Sequence, residues 1–359
     1  MNAPFRQPPT RVVLADLGDP GERRRIEAFL AEHPRATPFH RPAWLDAVAR
    51  GTGSEALVLI AEGAGGLLGY LPLSDVHSPL FGRLLASTGF AVGGGLLSVD
   101  EAASAALLDA VEELASRRSC PTIELRGGAM PLPTRAGWSV RSDAHCGFVA
   151  PLAEDDEAQL LAIPRKQRAE VRKGLANPLE VEIGSSERDR AAHYAVYAES
   201  VRNLGTPVFP RALFDAVLDL LGDDADILTV RHEGRPVASV LSLYHRGAVM
   251  PYWGGGTRAA RALRANDRMY FALMLHARQR GCTRFDFGRS KVGSGAADFK
   301  RNWGFTPEPL HYAVWTAPGA APRDASPTSA KHALQVALWQ RLPLSVANRV
   351  GPWIARGLG

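Results

Sequence analysis

Phe285-Asp286-Phe287-Gly288-Arg289-Ser290-Lys291, followed by Gly293-Ser294-Gly295 and by Phe299-Lys300-Arg301-Asn302-Trp303-Gly304-Phe305, is the stretch on which the fold turns. It reads as a buried strand that runs into a polar, glycine-rich turn and ends in a lysine set between aromatics. Just upstream, Met269 to Arg280 has helical spacing and stops at Gly281, where a left-handed cap suits glycine. A helix that feeds a strand whose far end is glycine-rich and cationic makes that end of a sheet a place to grip an anionic or acyl-bearing ligand. The lysine is itself informative. Of 42 basic residues only Lys166, Lys173, Lys291, Lys300 and Lys331 are lysines, so arginine is the default cation. A lysine then marks a place for a compact, rotatable ammonium rather than a planar fork, or else an ordinary solvated position.

Outward from this stretch the chain repeats an outline. Glu187 to Leu204 and Arg211 to Leu221 read as helices, and Ile227–Val230, Val237–Tyr244 and Ala248–Trp253 as strands, with turns at Glu233-Gly234 and Arg246-Gly247. The first half has the same plan. It opens with a strand at Arg11–Leu14, a helix from Glu22 to Ala31 and another from Trp44. Strands at Ala56–Ala61 and Leu67–Leu73 flank a glycine-rich hairpin turn, and a helix from Glu101 to Ser116 leads to a strand at Thr122–Arg126. The fold class expected is α/β, in the mixed α+β sense of central mixed sheets covered by helices, arising from an internal duplication. The domains expected are residues 10–150 and 151–316, then a Pro/Ala/Ser-rich linker over 317–330 and a basic tail over 331–359.

Composition bounds the function. The 359 residues are too many for one ordinary core, and 46% apolar with 22% charged residues describes a globular chain. A net charge of +5 is too weak to demand nucleic acid, and no DNA partner is expected, but it suits an acidic or phosphorylated ligand. Cys120, Cys146 and Cys282 are few, spread out and odd in number, which argues against a disulfide scaffold or a metal site and favours a reducing cytoplasm. The first ten residues carry no secretory signal, and no apolar run is long enough to cross a membrane. In the tail, Lys331, Arg341, Arg349 and Arg356 sit among Leu334, Leu338, Trp339, Val346, Trp353 and Ile354 without any acidic residue. Two short amphipathic helices broken at Pro343 and at Gly351-Pro352 either lie on an anionic inner-membrane surface or pack back on the body.

Three other places carry chemistry. Ile163 to Gly174 starts with proline and ends with glycine, and at helical spacing Arg165, Arg168 and Arg172 share a face flanked by Lys166 and Lys173. Five cations against Glu170 hold a phosphate or diphosphate, or form a solvated basic face. Tyr252-Trp253-Gly254, continued by Gly255-Gly256-Thr257, closes a strand with aromatics and a flexible backbone, as an acyl channel or a plain loop. Asp286 orients an amine, acts as a base or caps its turn; Lys300 neutralises an oxyanion or a substrate phosphate. Acetyl-CoA acetyltransferases place Arg/Gln-x-x-Gly-x-Gly/Ala at the next helix start, where backbone amides hold pyrophosphate. Here that place reads Arg261-Ala262-Leu263-Arg264-Ala265-Asn266-Asp267, without a glycine. No Ser-His-Asp elbow, Walker lysine or H-E-x-x-H is present.

Thr37-Pro38-Phe39-His40, Gly69-Tyr70-Leu71-Pro72-Leu73, the basic helix, Gly205-Thr206-Pro207, Tyr252-Trp253-Gly254 and above all the 285–305 stretch together resemble FemAB-type proteins. More narrowly, together with the tail motifs Trp339-Gln340-Arg341-Leu342-Pro343-Leu344 and Ala347 to Pro352, they resemble the branch associated with exosortase/PEP-CTERM exopolysaccharide systems. The resemblance implies two tandem GNAT-like acyltransferase domains. It further implies transfer of an acyl or aminoacyl group to an amine of a cell-envelope or exopolysaccharide precursor, an anionic small molecule or lipid-linked saccharide. The family's Phe-Lys maps onto Phe299-Lys300, so Lys300 and Asp286 are the expected catalytic pair. Arg165, Arg168, Arg172, Lys173, Thr206, Tyr252, Trp253, Gly254, Arg289, Ser290 and Phe299 are the expected binding residues. No bound cofactor or metal is expected; the donor is left open among aminoacyl-tRNA, acyl-CoA and acyl-carrier protein. The missing glycines weigh against CoA, and the lack of a long charged coiled-coil arm weighs against tRNA. The alternatives are a CoA-dependent or carrier-protein-dependent N-acyltransferase and a non-catalytic membrane-surface scaffold.

Overall fold

The computed structural model describes residues 10–321 and 330–359, with side chains of 330–335 outside the description. Two eight-stranded mixed sheets carry the chain, each in its own compact unit. In the first sheet the order is Arg11–Leu14, Glu55–Gly63, Gly66–Ser78, Gly82–Ser87, Thr122–Arg126, Tyr312–Thr316 and Trp138–Arg141, with Leu97–Ser98 beside Gly66–Ser78. In the second it is Glu180–Gly184, Ala225–His232, Arg235–His245, Ala248–Gly256, Arg284–Asp286, His145–Pro151 and Ser290–Lys291, with Pro307–Pro309 also on His145–Pro151. Both run four antiparallel strands, one parallel step and a return to antiparallel pairing. The duplication expected from the sequence is therefore present along the seven-strand path of each sheet, while the eighth strand lies on Gly66–Ser78 in one and on His145–Pro151 in the other.

The expected boundaries need correction. His145–Pro151 follows the first unit in sequence but pairs with Arg284–Asp286 in the second sheet, whereas Tyr312–Thr316 follows the second unit and pairs with Thr122–Arg126 in the first. The division therefore falls after Ser142 rather than after residue 150. The chain rejoins the first unit at His311, returns to the second for its two C-terminal helices and ends with Gly357–Gly359 in the first. Neither strand is a strong sequence signal: HCGFVAP carries a glycine and a terminal proline, and pairing partners far along the chain leave no local trace.

The helices form where caps and periodicity ask for them. Glu187–Asn203 opens on a capping box in which the Ser186 hydroxyl and the Asp189 carboxylate satisfy each other's backbone N–H groups. Glu101–Arg117 opens on Asp100, which accepts from the Ala103 amide at 2.7 Å. Ala265–Gln279 begins four residues before the expected Met269, because its first turn lies behind the left-handed Arg264 (φ +54°). In the second unit this helix packs on the sheet with Phe148, Phe285, Met269 and Leu273 fully buried. Each such side chain contributes roughly 1.5–3 kcal/mol of hydrophobic stabilisation.

Of the linker expected over 317–330, residues 322–329 lie outside the described set. The tail forms two helices, Ala330–Arg341 and Leu344–Ala355. Pro343 breaks them as expected, but Gly351-Pro352 does not: Pro352 lies inside the second helix. Gly351 is buried with Val208 so near that an added Cβ would stand 3.0 Å from its amide nitrogen, and that packing holds the turn together. The second helix thus packs back on its own unit. No described helix is long and apolar enough to cross a membrane.

Candidate active site

The parallel step of the second sheet is short. Ala248 pairs with Arg284 and Val249 with Phe285, after which the two strands part. Strand Ala248–Gly256 bulges at Tyr252, since Leu241 faces Trp253 while Ser242 faces Pro251. Such a bulge re-aims side chains and bends the strand. Its partner leaves the sheet through Phe287-Gly288, where Gly288 sits at φ +67°. The carboxyl ends of parallel strands that separate in this way are where α/β sheets commonly hold ligands.

Lys300, Asp286, Arg289, Ser290 and Phe299 meet at this end. Lys300 comes from helix Gly295–Asn302, whose N-cap Ser294 accepts from the Ala297 amide. Its ammonium is buried and donates to the carbonyls of Gly288 at 3.1 Å and Arg289 at 3.0 Å, with the faces of Phe148 and Phe287 at 5.3 and 5.7 Å. Burial lowers its pKa to about 8, against the opposing pull of Asp286. Asp286 accepts from the Gly288 amide at 2.9 Å, so it caps its turn; burial raises its pKa despite that bond and the nearby Lys300 charge. Lysine and aspartate thus brace one turn from two sides.

Around them Tyr270, Phe287, Phe299 and Trp303 pack edge-on or tilted, with ring centroids between 4.8 Å (Tyr270 to Phe287) and 6.3 Å (Phe287 to Trp303). The Ser290 hydroxyl and the Trp303 indole N–H are buried without a hydrogen-bond partner among the described residues. Orphaned buried polar atoms cost stability unless a water or ligand answers them, so this pair points to something that enters the site. Phe148, Tyr270 and Trp303 were not singled out as site residues. Phe148 comes from the exchanged strand, whose destination the sequence does not signal.

Tyr252, Trp253 and Gly254 belong to a neighbouring group. Trp253 packs edge-on against Phe214 at 4.8 Å, Tyr252 at 4.9 Å and Phe209 at 6.1 Å, so its ring is largely spent on core packing. Gly255 and Gly256 are glycines of close approach: an added Cβ would lie 2.2 Å from Ser200 Oγ and 2.4 Å from Asn266 Oδ1. Behind this strand lies His193, which the sequence does not mark as a site residue. It is fully buried, with Nδ1 3.1 Å from Ser239 Oγ and Nε2 unpartnered among the described residues; burial lowers its pKa to about 3, so the ring is neutral. Thr206 is exposed just after helix Glu187–Asn203.

The basic helix is Arg165–Ala176, and its buried face is Gln167, Val171 and Gly174. Arg165, Lys166, Arg172 and Lys173 are exposed and Arg168 half-buried. Lys173 pairs with Glu170 at 2.9 Å, and Arg168 donates to the Leu161 carbonyl. Arg165 and Arg172 make no hydrogen bond or ion pair among the described residues. The helix start lies near the lysine site: an added Cβ on Gly304 would stand 3.1 Å from Pro164 Cδ. On the buried side Gln167 Nε2 donates to the Asp267 carboxylate at 2.5 Å, and burial raises the Asp267 pKa. Asp267 occupies the first turn of helix Ala265–Gln279, so a carboxylate fills the helix start.

Comparison with known proteins fits this geometry. Residues 164–301 match the acetyltransferase (GNAT) domain family, a span that holds the parallel step, the basic helix and Lys300. The crystal structure of FemX superposes with a TM-score of 0.64 at 16% identity, over 84% of this chain and 96% of FemX. A tandem GNAT protein from the clavulanic acid biosynthesis pathway gives 0.56 at 11% identity, over 87% of this chain and all of that one (100%). The C-terminal domain of a putative lysylphosphatidylglycerol synthetase from Agrobacterium fabrum gives 0.53 at 13%, over 81% and 91% of the two chains. No curated protein matches the sequence. These likenesses define a class of fold, two GNAT-like units in tandem. Within that class the fold is similar to that of FemX over most of both chains.

Proposed function

We propose that the second unit transfers an activated acyl or aminoacyl group to an amine of an anionic cell-envelope or exopolysaccharide precursor. The observation that carries this reading is the buried Lys300 ammonium at the carboxyl ends of two separating parallel strands. Two of its three donors are committed to Gly288 and Arg289 carbonyls. The third is the natural partner of a developing oxyanion. The acceptor nitrogen attacks the carbonyl carbon of the donor ester or thioester, the tetrahedral oxyanion faces Lys300, and the carbon–oxygen or carbon–sulfur bond to the leaving group breaks. Asp286 positions the amine, takes the proton it sheds and passes it to the departing oxygen or sulfur. Arg165, Arg168 and Arg172 hold the anionic part of the acceptor, and Tyr252 with Gly254 lines the path of the acyl group.

For the donor, the Asp267 carboxylate supports a choice. A CoA diphosphate placed at the start of helix Ala265–Gln279 would meet this carboxylate, already engaged by Gln167, where amides and positive charge would be needed. An aminoacyl ester or carrier-protein thioester has no such requirement. CoA should accordingly leave the melting temperature unchanged.

Mass spectrometry of cells tests the whole reading. A strain lacking the protein should accumulate an unacylated amine-bearing precursor, and reintroduced wild-type chain should clear it. Lys300→Met should leave it uncleared, with turnover lowered about 10²–10³-fold as for loss of one oxyanion donor. Full clearance by Lys300→Met would end the catalytic assignment.

A further inference from the structure

Helix Leu344–Ala355 presents two unlike faces. Ala347, Gly351 and Ala355, small and buried, seat it on helix Glu187–Asn203 and on Val208. Arg202 of that helix donates to the Gln340 carbonyl and so ties down the end of the preceding tail helix. At about 100° per residue, Val346, Val350 and Trp353 fall within roughly 60° of arc on the opposite face, with Arg349 and Arg356 along one side. Their exposure is high for such residues: Val346 42%, Val350 40%, Trp353 48%, and Leu338 of the preceding helix 56%. Arg341, Arg349 and Arg356 are exposed, and residues 330–359 hold no Asp or Glu. Because the small-residue face is locked by close packing, the helix cannot roll to hide this apolar stripe.

We propose that this face docks the second unit on the surface of an anionic lipid bilayer. A helix with an apolar stripe, a tryptophan at its edge and flanking arginines lies in the interface plane, its rings at headgroup level and its cations on lipid phosphates. The charge argues against a second copy as the occupant. A two-fold contact through this stripe would set Arg349 and Arg356 against the same residues of the partner copy, with no carboxylate on the helix to relieve them. The docking is independent of the transfer reading: it places the unit at a membrane whatever its substrate.

The test is co-sedimentation of the full chain with vesicles of phosphatidylglycerol and phosphatidylcholine against vesicles of phosphatidylcholine alone. Binding should require the anionic lipid and weaken with added salt. Arg349→Gln and Arg356→Gln should each weaken it about fivefold, and the pair Val350→Ser with Trp353→Ser at least tenfold. Circular dichroism and thermal melting should stay as in the wild type, since all four side chains are exposed. Quenching of tryptophan fluorescence by brominated lipid should drop in Trp353→Phe. Absent binding, equal binding to neutral vesicles, or binding untouched by both sets of variants would overturn the proposal. So would a concentration-dependent dimer dispersed by Trp353→Ser.

Discussion

Arg126 and Asp286 stand at equivalent points of the two sheets. Each directly follows the last parallel pair, Ser87 with Leu125 in one and Val249 with Phe285 in the other, and each faces a residue of an exchanged strand, Tyr312 or Val149. Their surroundings differ in kind. The buried Arg126 guanidinium donates to the carbonyls of Thr88, Ala91 and Gly359 and pairs with Glu124 at 2.7 Å, so the first unit stitches its parted strands together with its own backbone. At Asp286 the carboxylate braces only its own turn, and Ser290 and Trp303 beside it keep unanswered polar atoms. One fold, used twice, has closed one of its two strand ends and left buried polar atoms unanswered at the other.

The comparison breaks first at Arg126. Arg126→Ala removes the donor shared by the carbonyls of Thr88, Ala91 and Gly359 and the Glu124 carboxylate, and should lower the stability of the first unit by roughly 3–5 kcal/mol. Urea unfolding followed by hydrogen exchange would locate the loss in the first sheet. A cost near that of an exposed ion pair, below about 1 kcal/mol, would mean that the arginine does not close the step.

The second break concerns pH. Burial lowers the Lys300 pKa to about 8, so the ammonium on which the proposed reaction relies is lost as pH rises past that value. Turnover should fall about tenfold for each pH unit above it. Lys300→Met should show no such alkaline limb in its residual rate. Stability runs the other way: the unfolded chain keeps the proton up to the ordinary lysine range, so between about 8 and that range stability rises with pH. Arg126→Ala, in the other unit, should keep the alkaline limb. A flat profile for the wild type would detach Lys300 from the reaction.

Much of this was legible in the sequence because it is local. The strand–turn–lysine stretch, helix Arg211–Leu221 and the repeat of helices and hairpins are written in spacing, caps and glycines. The Phe-Lys pair stood out because lysine is rare here. What was not legible depends on distant pairing. Residues 145–151 and 312–316 exchange units, which moves the boundary and brings Phe148 to Lys300, and nothing within seven residues announces a partner more than a hundred positions away. His193 was hidden for another reason: on a helix's apolar face a histidine reads as core, and only burial with an unpartnered nitrogen sets it apart. Tyr252 and Trp253 sat in one motif, yet the bulge separates their roles, packing Trp253 among aromatics.

The smallest expected effect sharpens the comparison from its exposed side. Arg126 is buried and bonded to three carbonyls and a carboxylate; Arg165 and Arg172 lie exposed on a helix next to the lysine site, without a protein partner among the described residues. Charge held in that state contributes little to folding, so Arg165→Gln and Arg172→Gln should each change stability by less than about 0.5 kcal/mol. The anionic acceptor we propose would give them that partner, at about 1 kcal/mol per contact. KM for the acceptor should therefore rise about fivefold per substitution with kcat unchanged, and the wild-type KM should climb with salt more steeply than that of the double variant. Lys173→Gln is the internal control, because Glu170 already pairs with Lys173 at 2.9 Å. If Lys173→Gln shifts KM as much as Arg172→Gln does, the face acts as diffuse charge rather than through its two unpaired guanidiniums.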